Sequence, residues 1–311
     1  MLRRLIVLLS LFLLSVLQPA YAAPLKLGVL PAADTLVLHV AADEGLFDKR
    51  GLDVELIPFQ SALELGAAMR AGALDGHFGD IINVLMQNES GSPQAIVATT
   101  SHASPEARCF GLVVSPKSTA QSLADLKGRD IAVSSATIID FLLSELLAAE
   151  GAAPDALNRQ DIRQMPVRLQ MLLSGQIESA LLPEPLVSLV EAKGARTVLD
   201  DRKLDTPLAV IAFKRTVLDA ADGAQTVANF RDALREAAAR INETPEAYRP
   251  VMEAKGLLPK GAAATYRMVR FDMKSTPTGL PSEADITRFA DWMKANRILK
   301  KTPAYGDVVF R

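Results

Sequence analysis

Residues 130–137 read Asp130-Ile131-Ala132-Val133-Ser134-Ser135-Ala136-Thr137. A short apolar segment is followed at once by small and hydroxyl-bearing residues, the pattern of a buried strand running into a loop. Ile138 to Glu150 then places apolar residues at helical spacing and stops at Gly151. Further on, Ile162 to Met165 reads as the next strand, closed by Pro166. Val167 to Ser174 reads as a helix ended by Gly175, and Ser179 to Leu182 as a strand ending at Pro183. Strands alternating with helices in this order build a parallel sheet with crossover helices.

The same rhythm stands upstream. Lys26 to Leu30 is a predicted strand, Pro31 to Thr35 a small-residue loop, and Leu36 to Glu44 a helix stopped at Gly45. Leu52 to Pro58 alternates as a second strand, Ser61 to Ala71 forms a helix ended by Gly72, and Gly76 to Gly79 is a third strand. The two registers can be laid over each other. Gly28 matches Ala132 at an offset of 104 residues, and Glu44-Gly45 matches Glu150-Gly151 at 106. Pro58 matches Pro166 at 108, and Gly72 matches Gly175 at 103. The competing explanation is that any two α/β units look alike at this level of detail. The favoured expectation is two similar α/β lobes, lobe one from residues 24–112 plus 214–311 and lobe two from 113–213. Leu208 to Phe213 would be the strand that carries the chain back. Gln225 to Ile241 and Ala284 to Asn296 are the clearest amphipathic helices of the remainder.

The N-terminus bears on the compartment. Arg3 and Arg4 precede an apolar run from Leu5 to Leu17, followed by Ala20-Tyr21-Ala22. A run this short cannot span a bilayer, which needs about 20 residues. A charged start, a short apolar middle and an A-x-A ending describe a secretory signal peptide, residues 1–22, cleaved near Ala22. An exported, periplasmic protein is therefore expected; a buried N-terminal helix is the alternative. The 34 Lys and Arg nearly balance the 36 Asp and Glu, which argues against nucleic acid as a partner. One cysteine, Cys109, excludes an intrachain disulfide and a four-thiolate zinc site. His39, His77 and His102 show no metal-ligand spacing, and neither a metal nor a cofactor is expected.

Several segments carry a family resemblance. Ala41-Ala42-Asp43-Glu44-Gly45-Leu46-Phe47 and Gly51-Leu52-Asp53-Val54 follow an "A-x-E-x-G-h-F-x-x-x-G-h-x-V" pattern with tighter spacing around Glu44 and Gly45. Gly72 to Asp75 fits "G-x-h-D", Ser122 to Arg129 fits "s-L-x-D-L-K-G-K", Gly175 to Ala180 fits "G-Q-h-D-A-A", and Glu184-Pro185 fits "E-P". In order and spacing the chain resembles the substrate-binding proteins of nitrate/sulfonate/taurine-type (SsuA/THI5-like) ABC importers, over roughly residues 25–215. The resemblance implies an α/β, periplasmic-binding-protein-like (type II) fold, with two lobes joined by a two-crossing hinge and a ligand cleft between them. It implies a monomer that captures a small molecule, delivers it to a membrane permease and performs no catalysis. A periplasmic ligand sensor for a membrane receptor is one alternative, and a pyrimidine-synthase-like enzyme another. The chain lacks the G-x-S-x-G, S-x-x-K, G-x-G-x-x-G, Walker and H-E-x-x-H motifs.

Open α/β sheets bind ligands beyond the carboxyl ends of their strands. On that rule the candidate ligand-binding residues are Asp34, Thr35, Asp80, Asn83, Ser134, Ser135, Thr137 and Glu184. Ser134, Ser135 and Thr137 suit an oxyanion at a helix start, or serve as plain helix caps. Asp34, Asp80 and Glu184 suit an amine or heterocyclic N–H donor, or serve as cap and hinge residues. His102 and Arg108 flank the first crossing between lobes and are secondary candidates.

Overall fold

The computed structural model describes residues 24–262, 266–274 and 276–311; the expected signal peptide lies outside them. The first unit opens with β1 (Leu25–Val29), α1 (Leu36–Asp43), β2 (Val54–Pro58), α2 (Ala62–Arg70), β3 (Gly76–Gly79), α3 (Ile81–Glu89) and β4 (Gln94–His102). The second contains β5 (Phe110–Val114), β6 (Asp130–Val133), α4 (Ile138–Ala149), β7 (Asn158–Asp161), α5 (Met165–Ser174), β8 (Ser179–Pro183), α6 (Leu186–Glu191) and β9 (Arg196–Asp200). β10 (Pro207–Lys214) then returns to the first sheet, followed by α7 (Gly223–Glu243), α8 (Arg249–Ala254) and α9 (Glu283–Ala295).

The two sheets have one topology. The first runs β2-β1-β3-β10-β4 and the second β7-β6-β8-β5-β9. In each, three strands are parallel, and the fourth position is an antiparallel strand arriving from the other unit. The register repeats too. Val29 pairs with Pro58 as Val133 pairs with Asp161, and Leu27 pairs with Gly76 as Ile131 pairs with Ser179. Gly72 and Gly175, matched in the sequence, adopt the same left-handed backbone at φ of 80° and 76°. Glycine takes that conformation without a Cβ clash and so ends both helices.

The pairing corrects three expectations. The strand foreseen at Ile162–Met165 lies at Asn158–Asp161 instead. It is an edge strand with no residue fully buried, so it carries no apolar signature. Pro166 does not close a strand: it sits in the first turn of α5, where its missing N–H costs nothing, and so is no counterpart of Pro58. The chain changes sheets between His102 and Phe110 and again between Asp200 and Pro207, earlier than the boundaries expected at 112 and 213.

Two large apolar clusters hold the structure. One fills the space between the first sheet and α1 and α7, with Phe47 and Phe230 stacked at 5.3 Å. The other spans both sheets, joining Ile81, Ile82 and Leu85 of α3 to Phe141 and Leu142 of α4 and to Phe289 of α9. Phe141 stacks on Phe289 with ring centroids 4.0 Å apart and meets Trp292 edge-on at 5.6 Å. Burying such rings stabilises the seam by apolar transfer and by ring geometry. The two crossings and this seam fix where the cleft opens.

Candidate ligand-binding cleft

A cavity of about 1110 Å³ lies where the carboxyl ends of β1, β3 and β8 face one another. Its wall takes Asp34 from the loop after β1, Asp80 and Asn83 from the start of α3, and Pro183 and Glu184 from the end of β8. Thr100, Ser101 and His102 come from β4, Arg108 and Cys109 from the first crossing, and residues 266–272, Lys274 and Thr276 from the segment before α9. The apolar share includes Leu65, Phe78, Ile139, Met268 and Phe271.

The three acids expected on cleft loops all line this cavity, and each is held differently. Asp34 accepts a hydrogen bond from Thr100 Oγ1 at 3.2 Å. Burial pushes its carboxyl up to about 6, against the hydrogen bonds from its own backbone N–H and from Thr100. Asp80 caps α3, accepting from the Asn83 N–H at 2.7 Å. It also accepts from the backbone N–H of Ile138, the first residue of α4 in the other unit, while burial pushes it above the usual carboxylate range. Glu184 accepts from Arg108 at 2.6 Å and from the Ser188 N–H at 3.1 Å. Asn83 lines the same wall, and its amide oxygen has no donor within reach.

The hydroxyl candidates go elsewhere. Thr35, Ser134, Ser135 and Thr137 do not line the cavity. Thr35 is fully buried and donates to Ala32 O at 2.7 Å. Ser134 Oγ accepts from the buried Arg168 at 2.5 Å, and Thr137 Oγ1 donates to Ser134 O at 2.7 Å. Thr137 also caps α4 through the Ile139 N–H, and the Ser135 N–H donates to Asp161 at 2.9 Å. Thr137 is a helix cap, while Ser134 and Ser135 are partnered from outside the loop by Arg168 and Asp161.

Arg108 is the residue that sequence reasoning placed only at the margin. It donates to Glu184, to both carboxylate oxygens of Glu191 and to Thr197 Oγ1, all within 3.0 Å. Its position on the first crossing was the one available signal. Cys109 beside it donates its backbone N–H to Asp201 at 2.9 Å, and burial together with Asp201 holds the thiol protonated. Tyr266, on an irregular segment without helical or strand periodicity, was not foreseen. His77 and His39 are accounted for structurally: His77 is buried against Gln94 at 2.8 Å, and burial pushes His39 down to about 4.

Comparison with known proteins bears on this arrangement. The NMT1/THI5-like family model matches residues 33–248, which takes in the second sheet, the first sheet apart from β1, and the three acids. The chain belongs to the NMT1/THI5-like family. Solved structures of the same fold include the alkanesulfonate-binding protein SsuA from Xanthomonas axonopodis pv. citri bound to MOPS. That protein is 20% identical, with a TM-score of 0.75 over 93% of this chain and 100% of the other. The periplasmic aliphatic sulphonate binding protein SsuA from Escherichia coli gives 17% identity and a TM-score of 0.74, over 93% and 92% of the two chains. A Candida albicans protein described as having the generic periplasmic binding protein fold gives 15% and 0.66, over 91% and 92%. No curated protein matches by sequence. At these identities the structures share the fold with this NMT1/THI5-like chain, and its ligand has to be argued from its own residues.

Proposed function

We propose that this NMT1/THI5-like protein is the extracytoplasmic solute-binding component of an ABC importer, working in the periplasm after removal of residues 1–22. The observation that carries the reading is the position of the cavity. It lies between two sheets of one topology, and its wall is drawn from both and from the crossings between them. A ligand touching both walls binds the closed arrangement better than the open one, and that difference in affinity drives closure. The closed rim would then be what the membrane permease recognises. The role is taken as non-catalytic: the one thiol is held protonated, and His102, the one histidine on the cavity wall, has its Nδ1 against the Ala103 carbonyl at 2.9 Å. The two lobes of this reading are residues 24–102 with 207–311, and 110–200.

The test is a thermal-shift screen of residues 23–311 against nitrate, taurine, alkanesulfonates, aminopyrimidines, flavin precursors and amino acids. A ligand at 100-fold its Kd adds about 2.7 kcal/mol to stability, a shift of several degrees for a chain of this size. At least one saturable shift is expected. A flat response across all charge classes, with the protein folded throughout, would count against the reading.

A further inference from the structure

We infer that the end of the ligand buried in the cleft is a protonated amine, or another cationic group rich in N–H donors, carried on a small apolar body, and that plain anions are excluded. The inference rests on the solute-binding reading and concerns the same cavity.

The devices in the wall that could receive an oxyanion are filled by carboxylates of the chain itself. The N-terminus of α3 is capped by Asp80. The backbone N–H of Ile138, at the start of α4, also acts on that carboxyl. The Ser188 N–H goes to Glu184. Arg108 has five N–H groups, and its five contacts to Glu184, Glu191 and Thr197 use all of them. An incoming sulfonate or nitrate would have to displace one of these acids and leave it buried without a partner, an unfavourable exchange.

The inner charge is also unbalanced in one direction. Asp34, Asp80, Glu184 and Glu191 face one inner cation, Arg108. Asp34 meets only a hydroxyl and its own backbone N–H. Arg202, Arg267, Arg270 and Lys274 also line the cavity, but all four are exposed, where water and salt screen them, and Arg202 is paired with Asp200. An unfilled group remains within. The Asn83 amide oxygen is buried and lacks a donor, and Tyr266, 6% exposed, also lines the cavity. A cationic N–H group placed at Asp34 would form a charge-assisted hydrogen bond in a setting of low dielectric. Leu65, Phe78, Met268 and Phe271 would receive the apolar body.

The test compares three probes of one length, hexylammonium, hexan-1-ol and hexanesulfonate, by titration calorimetry at pH 7.5 on the wild type and on Asp34→Asn. Hexylammonium is expected to bind at least tenfold more tightly than the alcohol, and hexanesulfonate no more tightly than the alcohol. Asp34→Asn, checked for cooperative unfolding, should erase the ammonium advantage. The wild-type comparison alone decides the charge class. A sulfonate that binds as well as or better than the ammonium would overturn the inference. Because the solute-binding screen includes anions, that result would leave the binding function standing.

Discussion

Arg108 and Glu184 lie 2.6 Å apart at the point where the chain first leaves one sheet for the other. Glu191 shares the same guanidinium at 2.9 Å, so one cation ties the end of β8 to the end of α6 on the wall of the cleft. Both partners of the closer pair are largely shielded, with 18% and 11% of their side-chain surface exposed. Removing one member of such a pair strands the other. Arg108→Ala is therefore expected to cost about 3 kcal/mol in denaturant unfolding. Arg108→Lys, which keeps the charge but loses the planar fork, should cost roughly half of that.

The pH dependence of stability isolates Asp34. Its folded carboxyl titrates at about 6 because it is buried, against 3.8 for the free group. Between those values the folded state holds more protons than the unfolded one, so this group lowers stability as pH rises through the interval. His39 and His77, pushed down by burial, act in the opposite sense and are common to both proteins being compared. Asp34→Asn should therefore gain stability relative to the wild type between pH 4 and pH 7, by about 2 kcal/mol over that interval. Chemical denaturation across that range checks it; a difference that stays flat or narrows would refute it.

The Ser134–Thr137 loop allows a clean separation of packing from binding. Thr137→Ala removes the cap of α4 and should cost about 1 kcal/mol. It should leave the affinity of any cleft ligand unchanged, because the hydroxyl faces its own loop. Loss of affinity without loss of stability would return the loop to the binding site.

The seam between the two units gives a further handle. Trp292, the one tryptophan, donates its indole N–H to Ser144 of α4 at 3.0 Å, and its neighbour Phe289 stacks on Phe141. Phe289→Ala should cost about 3–5 kcal/mol as a large-to-small change in a closed core. The tryptophan emission of the folded variant should move to longer wavelength as water reaches the seam. An unchanged spectrum would mean that the seam closes over the missing ring.

Much of the fold was legible because glycine and apolar spacing repeat. Gly72 and Gly175 end equivalent helices with the same backbone, and β1, β3, β6 and β8 fall where the sequence puts them. β7 was not legible, since Asn158-Arg159-Gln160-Asp161 is an edge strand held by backbone pairing to β6 and has no apolar face to announce it. The rule that ligands sit beyond strand ends chose Asp34, Asp80, Asn83 and Glu184, which line the cavity. It also chose Ser134, Ser135 and Thr137, because a hydroxyl's partner cannot be read from its type. The partner of Ser134 is Arg168, 34 residues away and fully buried. Tyr266 escaped notice for a similar reason: an irregular segment gives no pattern from which to infer that it folds back over the cleft.

The most direct test of the cleft as the solute site is to repeat every hit of the thermal-shift screen on a protein whose cavity is plugged. Ser101→Trp places an indole on the β4 wall, at a residue that lines the same cavity as Asp34 and Arg108. Ligands that stabilise the wild type are expected to lose their effect on the plugged protein, whose own unfolding should remain cooperative. Ligands that stabilise both proteins equally would contradict the assignment and place the binding site elsewhere on the molecule.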